Sequence, residues 1–526
     1  MGTSYDLKSE ALADLEFLCL ECSARCLTDA AKWASEMVYF LTEDDEETSD
    51  LSARTTSKYK PTENPHNSKV ETAINFAKSL FLTQEFDRGA AILKKHKSAH
   101  RLAAFLHYYG RYLGGEKRKL DNKADATDRR IIFENDEVAD LKSEMATVLL
   151  AEEEPFLHYL LGLCQVESGL TTEAQNSFVS AVTLLPCLWP AWMELSRIID
   201  SKDGLSSLQL PDHWMKRLFL AEVWLRLQVP LDSLAILEEF SQKGFDSCPF
   251  ILTRMAQAKY FLQEHDSAIE LFETVHRKDK YRVEKMDLYS SALFVKEKRV
   301  ELANLAHHFH DMCKFLPETC VIVGNYYVQR GERAKAVVYF QRCLKLNPKS
   351  VDAWVLMGHE LMEINKTPAA CMAYRRALEI DSRDYRPWNS LGQMYEIVRM
   401  HSHAVYYYNM AHRCSPQESR MAISLGDMYQ KVGRLEDAHK CYWKAHCVGD
   451  IEGLALLKLG QLFEKQGDDS QAAACFSKFL AQLEQQQLAD DVNQPHCYRF
   501  LAQHCLQSGK LDEAHQYAQL CLEFES

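Results

Sequence analysis

Several familiar patterns are absent from this sequence of 526 residues. No apolar run reaches the roughly 18 residues that a membrane-spanning helix needs, so no membrane partner is expected. The glycine-rich motifs of nucleotide-binding proteins and the serine-centred motif of hydrolases do not occur. Basic residues are in deficit, with 61 Lys and Arg against 75 Asp and Glu. Because binding to a phosphate backbone needs basic patches, this deficit argues against nucleic acid as the main partner.

The cysteines and histidines do not form a recognisable metal site. Seventeen cysteines are scattered mostly along predicted helices, which is typical of a reduced, intracellular protein. Cys19, Cys22 and Cys26 lack the second ligand pair of a zinc site, which favours buried thiols. His307 and His310 share a helix face, but no H-E-x-x-H motif accompanies them. We therefore predict no catalytic site, no metal and no cofactor. The N-terminus has no apolar signal core, so we expect the nucleus and cytoplasm.

A repeat dominates the second half of the chain. Glycines recur at intervals of 34 residues at Gly324, Gly358, Gly392, Gly426 and Gly460. Alanines keep the same interval at Ala336, Ala370, Ala404, Ala438 and Ala472. Aromatic residues do so at Phe340, Tyr374, Tyr408, Tyr442 and Phe476. This period, with small and aromatic residues at these offsets, is the signature of the tetratricopeptide repeat (TPR). The sequence thus predicts an all-α TPR superhelical solenoid, whose usual role is to hold other polypeptides.

The repeat pattern also predicts the domain organisation. Residues 1–45 form N-terminal helices, and residues 46–68 form an acidic and polar linker. Residues 69–316 contain degenerate TPR-like repeats, with one clear repeat at 155–188. Residues 317–526 form a C-terminal TPR superhelix with a peptide-binding groove.

One charged segment of the N-terminal half is interpreted as a loop. We expect a helix over residues 99–114 that ends at the pair Gly114 and Gly115. The stretch Lys117 to Arg130 is then expected to be a solvated loop.

The first helix of each TPR lines the concave face, and the repeat phase identifies its inward positions. The candidate peptide-binding residues at these positions are Asn325, His359, Glu363, Asn389, Gln393, Glu396 and Asp427, and Glu360 lies beside them. Hydrogen-bond acceptors predominate among them. Such a face suits a ligand that carries arginine, because carboxylates bind guanidinium in a bidentate manner. The alternative is that some of these side chains simply solvate the inner wall.

Two other classes of protein were compared with this pattern. A TPR co-chaperone holds a C-terminal carboxylate with lysine and asparagine at set positions. Here Asn325 is present, but the partner position holds Val321 instead of lysine. An enzyme fused to TPRs would need a catalytic domain, and the predicted repeats leave no segment of the chain long enough to form one. Binding of peptide motifs by a co-chaperone or another TPR adaptor stays the alternative function.

Several strings are more specific than the generic repeat, and some of them lie outside the TPR consensus positions. They are VGNYY at 323–327, RDYRPW at 383–388, LGQMYE at 391–396, LPDHWMK at 210–216, YRVEKMD at 281–287 and RYLGGEK at 111–117. These strings resemble the subunit 8 family of the anaphase-promoting complex (cyclosome), and the resemblance runs from about Asp6 to Phe524.

The resemblance implies a non-catalytic scaffold subunit in a cell-cycle ubiquitin ligase. Family members form homodimers through their N-terminal repeats, here residues 69–316. Their C-terminal superhelix holds a coactivator motif of the type Asp-Arg-Tyr-Ile-Pro-x-Arg, the C box. Expected partners are therefore other subunits of the complex, its coactivator and a second copy of this chain. Asn325 and Glu360 match positions in the family's groove. Longer members carry a Ser/Pro/Thr-rich C-terminal tail with phosphorylation sites, so that regulation is not expected of a chain that ends at Ser526.

Overall fold

Helices are the dominant secondary structure in the part of the chain that is described. The computed structural model describes residues 2–43, 59, 68–125, 133–150, 153–416, 418–450, 453–485 and 494–525. These residues contain twenty-eight α-helices and no β-strand. The predicted all-α TPR fold is therefore confirmed. Most of the linker predicted at 46–68 lies outside the described residues.

The chain divides into two compact units, Met1–Arg282 and Val283–Ser526. The first unit contains α1 (Gly2–Ala24), α2 (Thr28–Glu43), α3 (Ser68–Leu82), α4 (Phe86–Leu93), α5 (Arg101–Asp125), α6 (Val138–Leu149), α7 (Pro155–Glu167), α8 (Thr171–Leu184), α9 (Trp189–Ile198), α10 (Lys202–Ser206), α11 (Trp214–Arg226), α12 (Pro230–Phe240), α13 (Pro249–Phe261) and α14 (His265–Lys278). Helices α7 and α8 span the clear repeat predicted at 155–188, and each packs along the other.

The second unit begins one repeat earlier than the boundary predicted after residue 316, because α15 and α16 pack onto α17. It contains α15 (Met286–Val295), α16 (Arg299–Cys313), α17 (Pro317–Gln329), α18 (Arg333–Leu346), α19 (Val351–Glu363), α20 (Thr367–Ile380), α21 (Tyr385–Ile397), α22 (His401–Cys414), α23 (Ser419–Val432), α24 (Leu435–Gly449), α25 (Leu454–Gln466), α26 (Asp469–Gln485), α27 (Gln494–Gln507) and α28 (Leu511–Glu525). From α17 onward each odd-numbered helix pairs with the helix that follows it.

Each repeated glycine faces the repeated aromatic ring of its own repeat. A Cβ atom on Gly324 would lie 2.8 Å from Cζ of Phe340, and one on Gly358 would lie 2.8 Å from Cδ1 of Tyr374. The three later glycines meet their rings in the same way at Gly392 with Tyr408, Gly426 with Tyr442 and Gly460 with Phe476. The repeated alanines of the second helices are completely buried at Ala336, Ala370, Ala404, Ala438 and Ala472. Because a side chain at the glycine would overlap the ring, close packing within each helix pair accounts for the spacing.

The turns between paired helices share one backbone geometry but not one residue type. Gly331 and Gly433 have φ of 77° and 85°, in the left-handed region that glycine enters without a steric penalty. The equivalent residues Asn365 and Arg399 take φ of 61° and 62°. Left-handed backbone costs a residue with a Cβ about 1 kcal/mol. Packing of the flanking helices therefore imposes the turn even where the local sequence does not favour it.

The predicted end of a helix at Gly114 and Gly115 is wrong. Helix α5 continues through both glycines to Asp125, so most of the expected charged loop is helical. Charged side chains of this extension are paired with neighbouring helices, with Arg118 2.8 Å from Asp87 and Lys119 3.2 Å from Glu167. The residues after 125, up to 132, lie outside the described residues. The glycines do not end the helix. They allow another part of the chain to approach it closely.

We expect Gly115→Ala to destabilise the first unit although alanine favours helices. An added Cβ would lie 2.6 Å from Cγ of Asn135, whose amide donates to the carbonyl oxygen of Tyr112 at 3.1 Å. Overpacking of this kind costs about 1–3 kcal/mol, which exceeds the gain of about 1 kcal/mol from helix propensity. Urea unfolding followed by circular dichroism measures the change. Lys123→Ala, at an exposed position of the same helix, is the control and should change stability by less than about 0.5 kcal/mol.

Candidate peptide-binding groove

The candidate residues lie on the first helices of successive repeats, α17, α19, α21 and α23. Asn325, His359, Gln393 and Asp427 each follow a repeated glycine, so they occupy the same place on the four helices. Asn325 is buried, Asp427 is half-buried, and His359 and Gln393 are exposed. The same position in the repeat therefore provides side chains with very different access to solvent.

Glu360 is a buried acid that has no hydrogen-bond partner for one of its carboxylate oxygens. The residue is only 7% exposed, and its Oε2 atom is unpartnered. Burial raises the pKa of this carboxyl above its usual value, the positive charge of Arg333 lowers it, and the negative charge of Glu363 raises it. Glu363 is itself exposed and forms an ion pair with Arg333. Since a buried carboxylate oxygen without a hydrogen-bond partner is costly, Glu360 is suited to a ligand that brings its own donors.

Asn389 supplies a second acceptor without a partner. Its side chain is half-buried on α21, the helix that contacts α19, and its Oδ1 atom has no hydrogen bond. An amide oxygen can accept two hydrogen bonds. Together, Glu360 and Asn389 give two neighbouring helices unused acceptors.

Asn325 is occupied by contacts within the protein. Its Nδ2 atom donates to Oγ of Ser290 at 2.9 Å and lies 3.3 Å from Oγ of Ser291, both on α15. The amide thus joins two successive repeats. Since its donor is already used, any ligand contact by Asn325 would have to involve the amide oxygen.

Glu396 and Asp427 also have partners inside the protein. Each accepts a hydrogen bond from the aromatic residue of its own repeat, from Tyr408 at 2.9 Å and from Tyr442 at 2.6 Å. Each is also paired with a lysine further along the chain: Glu396 with Lys431, and Asp427 with Lys458 at 3.2 Å. Such paired carboxylates have less capacity left for a ligand than Glu360 has.

We expect Tyr442→Phe to destabilise the second unit by about 1 kcal/mol, the usual contribution of one hydrogen bond. The ring itself should be tolerated because phenylalanine stands at the equivalent positions 340 and 476. Chemical unfolding measures the effect. Tyr406→Phe, which alters an exposed tyrosine, is the matched control and should have almost no effect. Equal stability of the two variants would contradict a structural role for the Tyr442 hydroxyl.

His359 lies beside the repeated aromatic residue of its own repeat. Its Nδ1 atom is 3.1 Å from the hydroxyl oxygen of Tyr374. Although part of the His359 side chain is open to solvent, neighbouring protein atoms desolvate the ring, and this desolvation together with the positive charge of Arg386 lowers the pKa of His359 to about 4. The imidazole is therefore neutral at pH 7 and can exchange hydrogen bonds with a ligand without adding charge to the groove.

The sequence interpretation missed a row of charges at the starts of these helices. Asp352 and Arg386 are the second residues of α19 and α21, and their side chains form an ion pair at 2.7 Å. Arg386 also pairs with Asp384 at 2.6 Å. On α15, burial raises the pKa of Asp287 to about 6, and its Oδ1 atom has no partner. The 34-residue interval from Asp352 to Arg386 is a signal that could have identified the row.

The described residues contain no group of three or more His, Cys, Asp or Glu arranged to hold a metal ion. Likewise, none of the helices in the described part of the chain has both the length and the apolar character that a membrane span requires.

Comparison with known proteins identifies relatives along most of the chain. Residues 11–256 match the family described as "Anaphase promoting complex subunit 8 / Cdc23". Residues 317–350, 351–384 and 454–482 match tetratricopeptide repeat families. In overall fold the chain resembles a chain of the crystal structure of the APC/C hetero-tetramer Cut9-Hcn1, with a TM-score of 0.59 at 14% identity, covering 97% of this chain and 93% of that one.

Individual relatives carry related names. The chain is 35% identical to "Anaphase-promoting complex subunit 8" of Arabidopsis thaliana over 65% of its own length and 64% of the relative's. It is 35% identical to "Cell division cycle protein 23 homolog" of Caenorhabditis elegans over 68% of its length and 57% of the relative's. The human protein of that name is 37% identical over 45% of this chain and 40% of the relative. The matches therefore span less than two thirds of these relatives. Residues 11–256 of this chain thus match the anaphase-promoting complex subunit 8/Cdc23 family, and the relatives from Arabidopsis thaliana and Caenorhabditis elegans carry the same similarity over about two thirds of the chain.

Proposed function

We propose that this protein is a non-catalytic scaffold subunit of the anaphase-promoting complex whose C-terminal groove holds an arginine-bearing motif of the coactivator. The family match over residues 11–256 supports the assembly, and the unpartnered carboxylate oxygen of Glu360 supports the ligand. Other subunits of the complex, and a second copy of this chain bound through the N-terminal repeats, are part of the same proposal. We also propose that the protein acts in the nucleus and cytoplasm during cell division.

The buried acceptors carry the proposal for the groove. A guanidinium has five donors in a planar fork and is more weakly hydrated than an ammonium, so it is well suited to a buried carboxylate. Glu360 has an unpartnered carboxylate oxygen, and Asn389 has an unpartnered amide oxygen. A C-box motif of the type Asp-Arg-Tyr-Ile-Pro-x-Arg offers two arginines. One guanidinium that pairs with Glu360 would offset the cost of burying that charge.

The same observation disfavours a co-chaperone. A ligand that ends in a carboxylate would bring a second negative charge close to Glu360. The position that would need a lysine holds Val321, which is buried and apolar. An arginine-bearing ligand therefore fits the charges of this groove better than a C-terminal carboxylate does.

The proposed mechanism is positioning. If the groove holds the coactivator on a fixed surface, substrate that is bound to the coactivator stays near a ubiquitin-charged enzyme elsewhere in the assembly. Tethering of this kind raises the effective concentration of one reactant near another without any new contact between them. The scaffold contributes geometry, and the chemistry belongs to other subunits.

Affinity purification from dividing cells followed by mass spectrometry tests the assembly. Recovery of a cullin-like subunit, a small RING subunit and other TPR subunits would support the proposal. Stoichiometric recovery of heat-shock chaperones alone would overturn it in favour of a co-chaperone.

A peptide titration tests the groove separately. The full chain should bind a fluorescent peptide that contains the Asp-Arg-Tyr-Ile-Pro-x-Arg motif, and a version with both arginines replaced by alanine should bind at least ten-fold more weakly. Equal binding of the two peptides would exclude the arginine interpretation even if the protein assembles with the complex.

A further inference from the structure

The second helix of each C-terminal repeat presents one outward column of side chains. Residues four apart on a helix lie on the same face. On α18 this column contains the exposed Val338 and Leu346 and, between them, the half-buried Arg342, whose guanidinium carbon lies 4.9 Å from the ring centroid of Phe315. A span of eight residues covers about 12 Å along the helix axis.

The same column recurs on the following repeat. On α20, 34 residues later, it contains Met372, Arg376 and Ile380, and Arg376 forms an exposed ion pair with Glu379 at 2.6 Å. On α22 the corresponding position holds Tyr406. Val338, Met372 and Tyr406 are 61%, 65% and 57% exposed. This row of three side chains is therefore not part of the hydrophobic core of the second unit. Single exposed apolar side chains are ordinary on protein surfaces, but three at one repeat position form an ordered row.

On α24 the same positions of the column are mostly basic. There the column contains Lys440, Lys444 and the exposed Val448. Nζ of Lys444 lies 2.8 Å from Nε2 of His412 on α22. The outer faces of these two helices are therefore adjacent.

Charge separates the two helices of each repeat. The outer helices α18, α20, α22 and α24 carry nine Lys or Arg against three Asp or Glu. The first helices of the same repeats, α17, α19, α21 and α23, carry three Lys or Arg against six Asp or Glu. The basic surface belongs to a chain with a net charge of −14, so its sign is opposite to that of the whole protein. Basic side chains that alternate with exposed apolar ones call for a partner with acidic and apolar residues.

We propose that the outer face of α18, α20, α22 and α24 is a docking surface for an acidic segment of another protein, with apolar side chains that contact the repeated row. The occupant crosses successive repeats and places an apolar residue against the row at Val338, Met372 and Tyr406. Its carboxylates pair with the basic side chains between these contacts. This surface is distinct from the groove that contains Glu360, so its occupant can bind together with a groove ligand.

Fluorescence anisotropy with the full chain tests the surface. The probe is a labelled 20-residue peptide of the repeating sequence Glu-Leu-Asp-Phe, and the comparison peptide has serine in place of leucine and phenylalanine. We expect the apolar peptide to bind at least ten-fold more tightly than the serine peptide. The double variant Met372→Asp/Ile380→Asp should bind the apolar peptide at least ten-fold more weakly than the unaltered chain. Binding should also weaken as salt is raised.

Matched controls separate this surface from other causes. Leu231→Asp alters a similarly exposed apolar side chain of the first unit and should leave binding unchanged. Circular dichroism should show the same helix content for all variants. A photo-crosslinker in place of Tyr406 should attach the apolar peptide to the unaltered surface.

Four results would overturn the proposal. They are equal binding of the serine peptide, unchanged binding by the double variant, no crosslink at position 406, and displacement of the peptide by a single-stranded oligonucleotide of equal charge. The last result would assign the face to nucleic acid. Loss of groove binding in Glu360 variants would leave the outer surface unaffected, so the two sites are tested independently.

Discussion

Gly358→Val is expected to lower the free energy of unfolding of the second unit by about 3 kcal/mol or more. The added Cβ would overlap the ring of Tyr374, which is completely buried, and two further methyl groups would enlarge the overlap. The ring cannot turn aside freely because its hydroxyl lies 3.1 Å from Nδ1 of His359. In a solenoid each repeat is stabilised by its neighbours, so the damage should spread from α19 and α20 to the adjoining repeats.

Urea unfolding followed by circular dichroism measures this effect. Gly358→Ala should be intermediate, since one carbon meets the same ring with less overlap. Gly331→Ala is the matched control, because nothing lies within 4 Å of that position and the cost should be limited to about 1 kcal/mol of backbone strain. If Gly358→Val and Gly331→Ala were equally stable, close packing against Tyr374 would not explain the repeated glycine.

Glu360→Lys is expected to weaken binding of the arginine-bearing peptide by about 100-fold or more, which corresponds to about 2.7 kcal/mol. The substitution replaces a buried acceptor with a positive charge that repels the ligand. Glu360→Gln keeps the size of the side chain but removes its charge, so we expect a smaller loss of about ten-fold. Glu379→Gln is the matched control and should leave binding of this peptide unchanged, because Glu379 is exposed on the second helix α20 and is paired with Arg376 at 2.6 Å.

The same position links binding to stability. Because burial raises the pKa of Glu360, the folded protein holds this proton more tightly than the unfolded chain does. The free energy of unfolding should therefore fall as pH rises from the unfolded value of about 4.3 through the raised folded value, and Glu360→Gln should remove that fall. At pH 7 the glutamine variant should be more stable than the original while it binds the peptide more weakly. A glutamine variant that is less stable at pH 7 would show that the carboxylate has partners within the fold.

The repeat phase predicts the position of a candidate residue on its helix, but it does not predict the partners of that residue. The phase placed Asn325, His359, Gln393 and Asp427 at one position on four helices, because the backbone repeats almost without change. It could not separate Glu360 from Glu396 or Asp427, since all are acids on first helices. Their difference depends on Lys431 and Lys458, which approach from helices that follow in the chain.

The misplaced end of α5 has a similar cause. Gly114 and Gly115 weaken a helix when they are judged by local propensity. In the fold, Asp87 and Asn135 approach the helix where these glycines leave room, and charged neighbours stabilise the segment that follows. Local sequence predicts the preference of a segment in isolation, and tertiary packing can outweigh a preference of about 1 kcal/mol per residue.

The sequence alone determined the helix pairs, the small residues between them and the family resemblance, because these depend on a period that is visible along the chain. Only the tertiary structure decided which acids are paired, that Glu360 is buried with an unpartnered oxygen, and that the outer helices present an apolar and basic face. The physical reason is that the charge state and exposure of a side chain depend on atoms from other helices. Neither quantity is encoded in the period that specifies the helices themselves.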